Sequence, residues 1–294
     1  MEEKRRIEQK LADLKSLQLL AQAHEEISTT HIRLARGMVL MTRDFLASLS
    51  EVFVNVKSAY KKHVLAEIEK SKQTGKPLPV ISSNKNGKTL FVFLSANNKL
   101  YGDIISRTFV LFQKELEKQN PDIVIVGRLG KELYDVSGLK KPYVYFEIPD
   151  TQKNIKDITP LTTYILPYEQ VKVFYGKFIN VVSQVPASAS LTGEESLEVH
   201  VQSVQKTKEY DFIFEPSIEK VMDFFTSQTF FSLLNQTIHE AELARYGSRI
   251  KAMEDALGNI TSQMQIVTLA ERRIKNLQTN KKQLERIAGM SLWR

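Results

Sequence analysis

A chain of 294 residues, 42% of them hydrophobic, is long enough for one substantial core or two smaller ones. It contains no cysteine, which excludes disulfides, thiolate zinc sites and cysteine nucleophiles and fits a reducing compartment. Forty-one Lys and Arg against 34 Asp and Glu leave a net charge of +7. The two signs are interleaved along most of the chain, a pattern of solvated faces and a protein partner rather than a nucleic-acid arm.

The N-terminal MEEKRRIEQKLADLK is charged throughout and has no apolar h-region, so no signal peptide is expected. No window approaches eighteen uninterrupted apolar residues, so no membrane span is expected, and any link to a membrane runs through a partner. All nine prolines lie between Pro77 and Pro216, which permits long unbroken helices at both ends. Residues 1–72 read as a coiled-coil helix, with apolar side chains at Ile7, Leu11, Leu14, Ile27, Leu34, Met38, Met41, Phe45 and Leu49. Residues 73–89, rich in Gly, Pro, Asn and Ser, read as a linker loop.

Residues 90–212 change character. Short apolar runs at 90–95, 122–127, 143–148, 171–185 and 197–204 read as strands. Helices are expected between them near Asp103–Lys118, Lys131–Val136 and Pro160–Tyr168. Such alternation predicts a central Rossmann-like α/β domain with a mostly parallel sheet, to which the last two strands add an antiparallel edge. Residues 213–294 form the second coiled-coil helix. It begins near Ser217 and Glu219, and Ile250, Met253, Leu257, Ile260, Met264 and Val267 step by three and four residues. At 1.5 Å per residue the two helices would reach roughly 100 and 115 Å, an antiparallel pair too long for a compact domain.

The chemistry-bearing patterns are absent. There is no G-x-G-x-x-G, no G-x-x-x-x-G-K-[ST], no H-E-x-x-H and no G-x-S-x-G. GRLGKE at 127–132 fits neither phosphate fingerprint and reads as a strand-to-helix turn. His24 and His31 are seven residues apart, too far on one helix to share a metal. Glu194 and Glu195 fall in a Gly/Ser-rich loop and read as a solvated turn. Nucleic acid would want aromatics among the basic residues, and the C-terminal helix has only Trp293. No catalytic, cofactor-binding or metal-binding residue is assigned. The C-terminal stretch LAERRIKNLQTNKKQLERIAGM (269–290) poses its own problem, because a helix this polar should fray unless a partner grips it.

Several phrases, in order along the chain, resemble the gamma subunit of F-type ATP synthases. YGKFINVVSQVP (175–186) is similar to the family's Y-x-K-F-x-N-x-x-x-Q-x-P, and FEPS (214–217) to the start of its last helix. RIKAMEDALGN (249–259) is similar to R-M-x-A-M-x-x-A-x-x-N, IVGRLGK (125–131) to its V-G-R-K-G turn, and SANNKLYG (95–102) occupies the place of S-D-R-G-L-C-G. The chain also departs from the pattern. Leu20 through Ile27 replace the usual I-T-x-A-M-x-M-V, and Ala244 and Arg245 stand where a Ser-Glu pair is usual. Glu271, Arg272, Lys275 and Asn276 replace Y-N-x-x-R-Q, which keeps positive charge and loses the specific pair.

The resemblance implies a non-catalytic rotor, the central stalk of a rotary ATP synthase or ATPase that transmits torque between a membrane ion-driven ring and a catalytic ring. The implied partners are alpha and beta subunits, an epsilon-type subunit and a c-ring, at the cytoplasmic face of a bacterial cell membrane. It implies ring contacts at Arg272, Arg273, Lys275 and Asn276, with Met290, Leu292 and Trp293 seated in an apolar bearing. Gly247 and Gly258, inside the last helix, are expected at close approaches. Other readings of the same elements are a non-rotary coiled-coil scaffold that self-associates, the shaft of a specialised ATPase without ion transport, and a small-molecule-binding α/β enzyme that uses its helices to dimerise.

Overall fold

The computed structural model describes residues 2–74, 86–151, 155–192, 215 and 217–291. The expected strand 197–204, the pair Glu194 and Glu195, and Leu292 and Trp293 lie outside them. The chain divides into two compact units, Met1–Thr30 with Arg249–Arg294, and His31–Ser248.

Both terminal helices form where no proline interrupts them: α1 over Glu2–Thr74 and α5 over Ile218–Ser291. Between them come β1 (Thr89–Leu94), α2 (Ile104–Leu116), β2 (Asp122–Val126), α3 (Arg128–Val136), β3 (Val144–Phe146), α4 (Ile155–Ile165), β4 (Gln170–Phe178) and β5 (Gln184–Ser190).

In the unit His31–Ser248 the strands form one sheet in the order β3-β2-β1-β4-β5. The first four are parallel and β5 is antiparallel to β4. Val92 of the central strand lies opposite Val124 of β2 and Val173 of β4. Both faces are covered, which is why LFVFL and DIVIV are continuous apolar runs rather than alternating ones. Alternate residues serve different cores. Leu90, Val92, Leu94, Val124 and Val173 meet α4 (Ile158, Leu161, Ile165) and α5 (Phe230, Leu234, Ile238). Phe91, Phe93, Ile125 and Phe174 meet α2 (Ile104, Phe109, Phe112), α3 (Tyr134) and Tyr246 of α5. Helix α5 therefore reaches both cores.

Within the same unit, α1 and α5 are antiparallel. His31 stacks on Tyr246 at 4.8 Å between ring centroids, Val39 clusters with Leu243, Leu46 shares a core with Leu234, and Phe53 meets Phe225 at 6.1 Å. As the number rises along one helix it falls along the other. In the unit of the chain termini, the buried positions among the described residues are Ala21, Ser28, Arg249, Ile250, Met253 and Val267. The stretch of α5 here outruns that of α1 (249–291 against 2–30) by about fourteen residues, roughly 21 Å at helical rise. Residues 279–289 are all exposed.

Three details differ from expectation. The run 171–185 is a hairpin rather than one strand, and among the described residues the antiparallel edge is its second arm, β5. Asn180 makes the turn without Gly or Pro: its side-chain oxygen accepts from Val182 N–H and Ser183 N–H, at 3.0 and 2.8 Å. Pro186 then sits on the edge strand, where its missing N–H matters least. Helix α4 begins at Ile155, five residues before Pro160, because the carbonyl that loses its partner belongs to exposed Lys156. Helix α3 begins at Arg128, so the glycines of GRLGKE lie at and inside its first turn.

One half-buried cluster gives the fold a measurable acid response. Lys118 and Lys172 donate to the two oxygens of Glu115 at 2.7 and 2.8 Å. These bonds, Lys118's foremost, hold the carboxyl down at about 2 against an ordinary 4.5. A depressed folded value means the stabilisation is fully present above about pH 4.5 and disappears as pH falls toward 2. Replacing Glu115 by Gln should therefore flatten the decline of the urea midpoint between those limits. An unchanged slope would remove this cluster from the acid response.

Candidate functional site

The end of α5 presents basic side chains with no internal use. Arg272, Arg273, Lys275 and Asn276 are all exposed, and none makes an ion pair with another described residue. Leu269, Leu277, Leu284 and Ile287 are exposed beside them, so the apolar residues that might have held a second helix face outward too. Met290 lies in the last turns of the helix, its side chain outside those described.

Further back, α5 is seated on the sheet through residues 244–248. Arg245 is buried and donates to the carbonyl of Ser95, the residue that follows β1. Its guanidinium lies 5.8 Å from the centre of the Tyr101 ring, and Tyr101 meets Tyr246 edge-on at 5.9 Å. Ser95 and Arg245 line a small cavity of about 20 Å³, room for one water. Three glycines permit the approach. A Cβ on Gly102, whose φ is +59°, would lie 2.9 Å from the Ser248 carbonyl oxygen. One on Gly176 would lie 2.7 Å from Ile104 and 3.2 Å from the Ala244 methyl. One on Gly247 would lie 2.7 Å from the Gln184 amide and 3.1 Å from the Phe178 ring.

The groups that receive α5 are themselves fixed. Asp150, buried, accepts from Asn97 N–H at 3.1 Å and from both Asn98 N–H and Asn98 Nδ2 at 2.9 Å. Asn97 in turn donates to the Ile148 carbonyl at 2.8 Å and accepts from Arg128 N–H at 3.0 Å. Gln184 donates to the carbonyls of Asn180 and Val181 at 2.9 and 2.7 Å, which holds the hairpin base under Gly247. Tyr175 donates to Glu240 of α5 at 3.2 Å, and burial, then the carboxylate beside it, pushes that hydroxyl's titration upward.

Of the two glycines expected where the helices or a neighbour approach closely, Gly247 meets such an approach within the chain and Gly258 has nothing of the described chain within 4 Å. GRLGKE is indeed a strand-to-helix turn. Gly127, at φ +94°, lies where a Cβ would stand 2.9 Å from the Ala96 backbone, and Gly130 where one would stand 2.8 Å from Ser95 Cβ. Arg245, Asp150 and Asn97 were not singled out by the sequence. The departure at 244–245 was the one available signal, an Arg where a carboxylate is usual. Among the described residues no group of His, Asp and Glu is placed to hold a metal, and no helix is long and apolar enough to cross a membrane.

A sheet clasped by helices from both chain ends is the fold of ATP synthase central stalks. The structure is similar to the central stalk of Tetrahymena thermophila mitochondrial ATP synthase, with a TM-score of 0.55 at 16% identity, covering 81% of this chain and 99% of that one. It is also similar to a chain of the Euglena gracilis mitochondrial ATP synthase, with a TM-score of 0.50 at 20% identity over 87% and 94%. In sequence it is 21% identical to the ATP synthase gamma chain of Pelotomaculum thermopropionicum over 97% of both, and 22% to that of Halothermothrix orenii over 98% of both. The ATP synthase family model matches residues 3–285, and the chain belongs to that family on its gamma-chain branch. Its role is that of the central-stalk rotor in an F-type ATP synthase.

The seat yields two stability tests. Gly247→Ala should destabilise the chain by about 1–3 kcal/mol despite the better helix propensity, because Phe178 and the doubly bonded Gln184 must move. Gly258→Ala, with open space around it, should stabilise by up to about 1 kcal/mol. Urea unfolding of the two variants should give shifts of opposite sign; equal shifts would mean that close approach is not what requires Gly247. Asp150→Ala strands the two backbone donors of Asn97 and Asn98 and should cost about 1–3 kcal/mol in the same assay. A loss below half a kcal/mol would show that water replaces the carboxylate there.

Proposed function

We propose that the C-terminal end of α5 turns inside a ring of alpha and beta subunits, with the beta subunits carrying out catalysis. The α/β domain sits at the foot beside an epsilon-type subunit and a c-ring, at the cytoplasmic face of a bacterial cell membrane. In this reading the coiled-coil segments are residues 1–72 and 213–294, the linker is 73–89 and the foot is 90–212. The observation that carries it is the bare, basic end of α5, where Arg272, Arg273 and Lys275 are exposed and without ion pairs among the described residues.

A shaft tip that turns in a collar cannot afford one deep apolar register, because a single well would hold it. Solvated basic side chains instead make contacts worth about 1 kcal/mol or less each, which can be broken and remade at every step. Arg272, Arg273, Lys275 and Asn276 are the contacts to acidic ring loops, and Met290, Leu292 and Trp293 the seat in an apolar bearing. Rotation then favours different conformations of the catalytic subunits in turn, which couples shaft angle to nucleotide affinity.

Reversing Arg272, Arg273 and Lys275 to Glu should slow ATP turnover of the complex reconstituted with its own alpha and beta subunits. The expected effect is several-fold, and it should shrink as salt is raised, since screening weakens the contacts being reversed. Normal assembly with unchanged turnover would take these residues out of the torque path.

A further inference from the structure

We infer that Arg245 is a positioning residue for energy transfer, the clamp that makes the sheet domain and helix α5 turn together. The inference rests on the rotor role and adds the residue through which load passes. Most of what holds α5 in the unit His31–Ser248 is apolar: Phe230, Leu234, Ile238 and Ala241 in one core, Leu243 against Ala35 and Val39 in another. Apolar contact is strong and non-directional, so a helix can roll or slip by a fraction of a turn and keep most of it. Torque is the load that such contact resists least.

Arg245 supplies direction. It is buried, and it donates to a carbonyl whose own residue is locked, since Ser95 N–H is bonded to the Val126 carbonyl at 2.9 Å. The acceptor is thus tied to β1 and β2, the centre of the sheet. A charged donor on a neutral carbonyl is a strong bond that weakens steeply with misalignment. The Tyr101 ring at 5.8 Å holds the guanidinium plane from the side. Rolling α5 about its axis would break both contacts together and would strand a cation in a buried site. On either side of Arg245, Ala244 lies against Gly176 and Ser248 against Gly102, so closely that a Cβ at either glycine would push the helix off its seat.

The Ser-Glu pair usual at 244–245 has a carboxylate at the second position, which cannot donate to the Ser95 carbonyl. The clamp therefore goes with this chain's departure from that pattern.

The test is rotation of the complex with alpha and beta subunits under ATP, read at the sheet domain. Because the chain has no cysteine, Val136→Cys on the exposed face of α3 gives a single attachment point for a bead. Against this background Arg245→Met should leave bulk ATP turnover within about twofold while the stall torque at the bead falls by at least half. Arg245→Lys, which keeps the charge but not the planar fork, should recover only part of it. Wild-type torque from Arg245→Met would overturn the inference. If Arg245→Met fails to assemble, Arg245→Lys carries the test, with intermediate torque supporting the clamp and full torque overturning it. A bead that stands still on the Val136→Cys protein while the ring hydrolyses ATP would overturn the rotor reading itself, and the clamp with it.

Discussion

The close approach of α5 to the C-terminal ends of β1 and β4 is the constraint on which the other features depend. Those strands are neighbours in the sheet although they are not consecutive in the chain, because the crossovers through α2 and α3 run one way and that through α4 the other. Open α/β sheets leave a crevice at such a switch point. Here α5 fills it, with Arg245 on Ser95, Ser248 against Gly102 and Gly247 over Phe178 and Gln184. With α5 in that position its two sides meet different cores, so the helix joins the two layers of the domain.

The two parts of α5 show how one helix meets opposite demands. From Thr229 through Arg249 nearly every residue is buried or half-buried, charged ones included. Glu240 accepts from Tyr175, which satisfies two polar groups that burial would otherwise penalise, and the Glu242 carboxylate lies 3.5 Å from His239 Nδ1. From Thr279 to Gly289 every residue is exposed. An isolated helix of that length is marginal in water, and only its continuity with the packed turns before it holds it in register. The same helix is held on many sides over 229–249 and bare over 279–289.

How much of this was legible in the sequence follows from which forces are local. Proline exclusion and three-four apolar spacing are local, and both terminal helices are found where the chain is free of proline, over Glu2–Thr74 and Ile218–Ser291. Doubly covered strands announce themselves as unbroken apolar runs, so LFVFL, DIVIV and the core of β4 were readable. The 179–183 turn was not, because its signal is a side-chain oxygen on Asn180 rather than a Gly or Pro, and the flanking valines continue the apolar run. The seat of α5 was hardest. Arg245 meets Ser95 across 150 residues of chain and Asp150 meets Asn97 across 53, and nothing in the spacing of any one predicts the others. Gly247 and Gly258 look alike in sequence, eleven positions apart in one helix, and only the tertiary contact tells the one that is needed from the one that is tolerated.

The filled crevice also accounts for what the domain lacks. A strand-turn-helix unit with GRLGK at its bend could cradle a phosphate if its glycines freed backbone N–H groups toward an open cleft. In this chain they do something else. Gly127 takes a positive φ so that its backbone can pass Ala96, and Gly130 has no side chain so that α3 can lie on Phe93 and Ser95. Leu129 N–H, at the place where an anion would bind, already donates to the Ala96 carbonyl at 2.8 Å, and Arg128 N–H to Asn97. The donors that a nucleotide would need are used to hold the 95–102 loop, and that loop holds the shaft helix. A fold whose usual opening is for ligand has had that opening turned into a mechanical joint, which is why its glycine pattern matches no phosphate fingerprint.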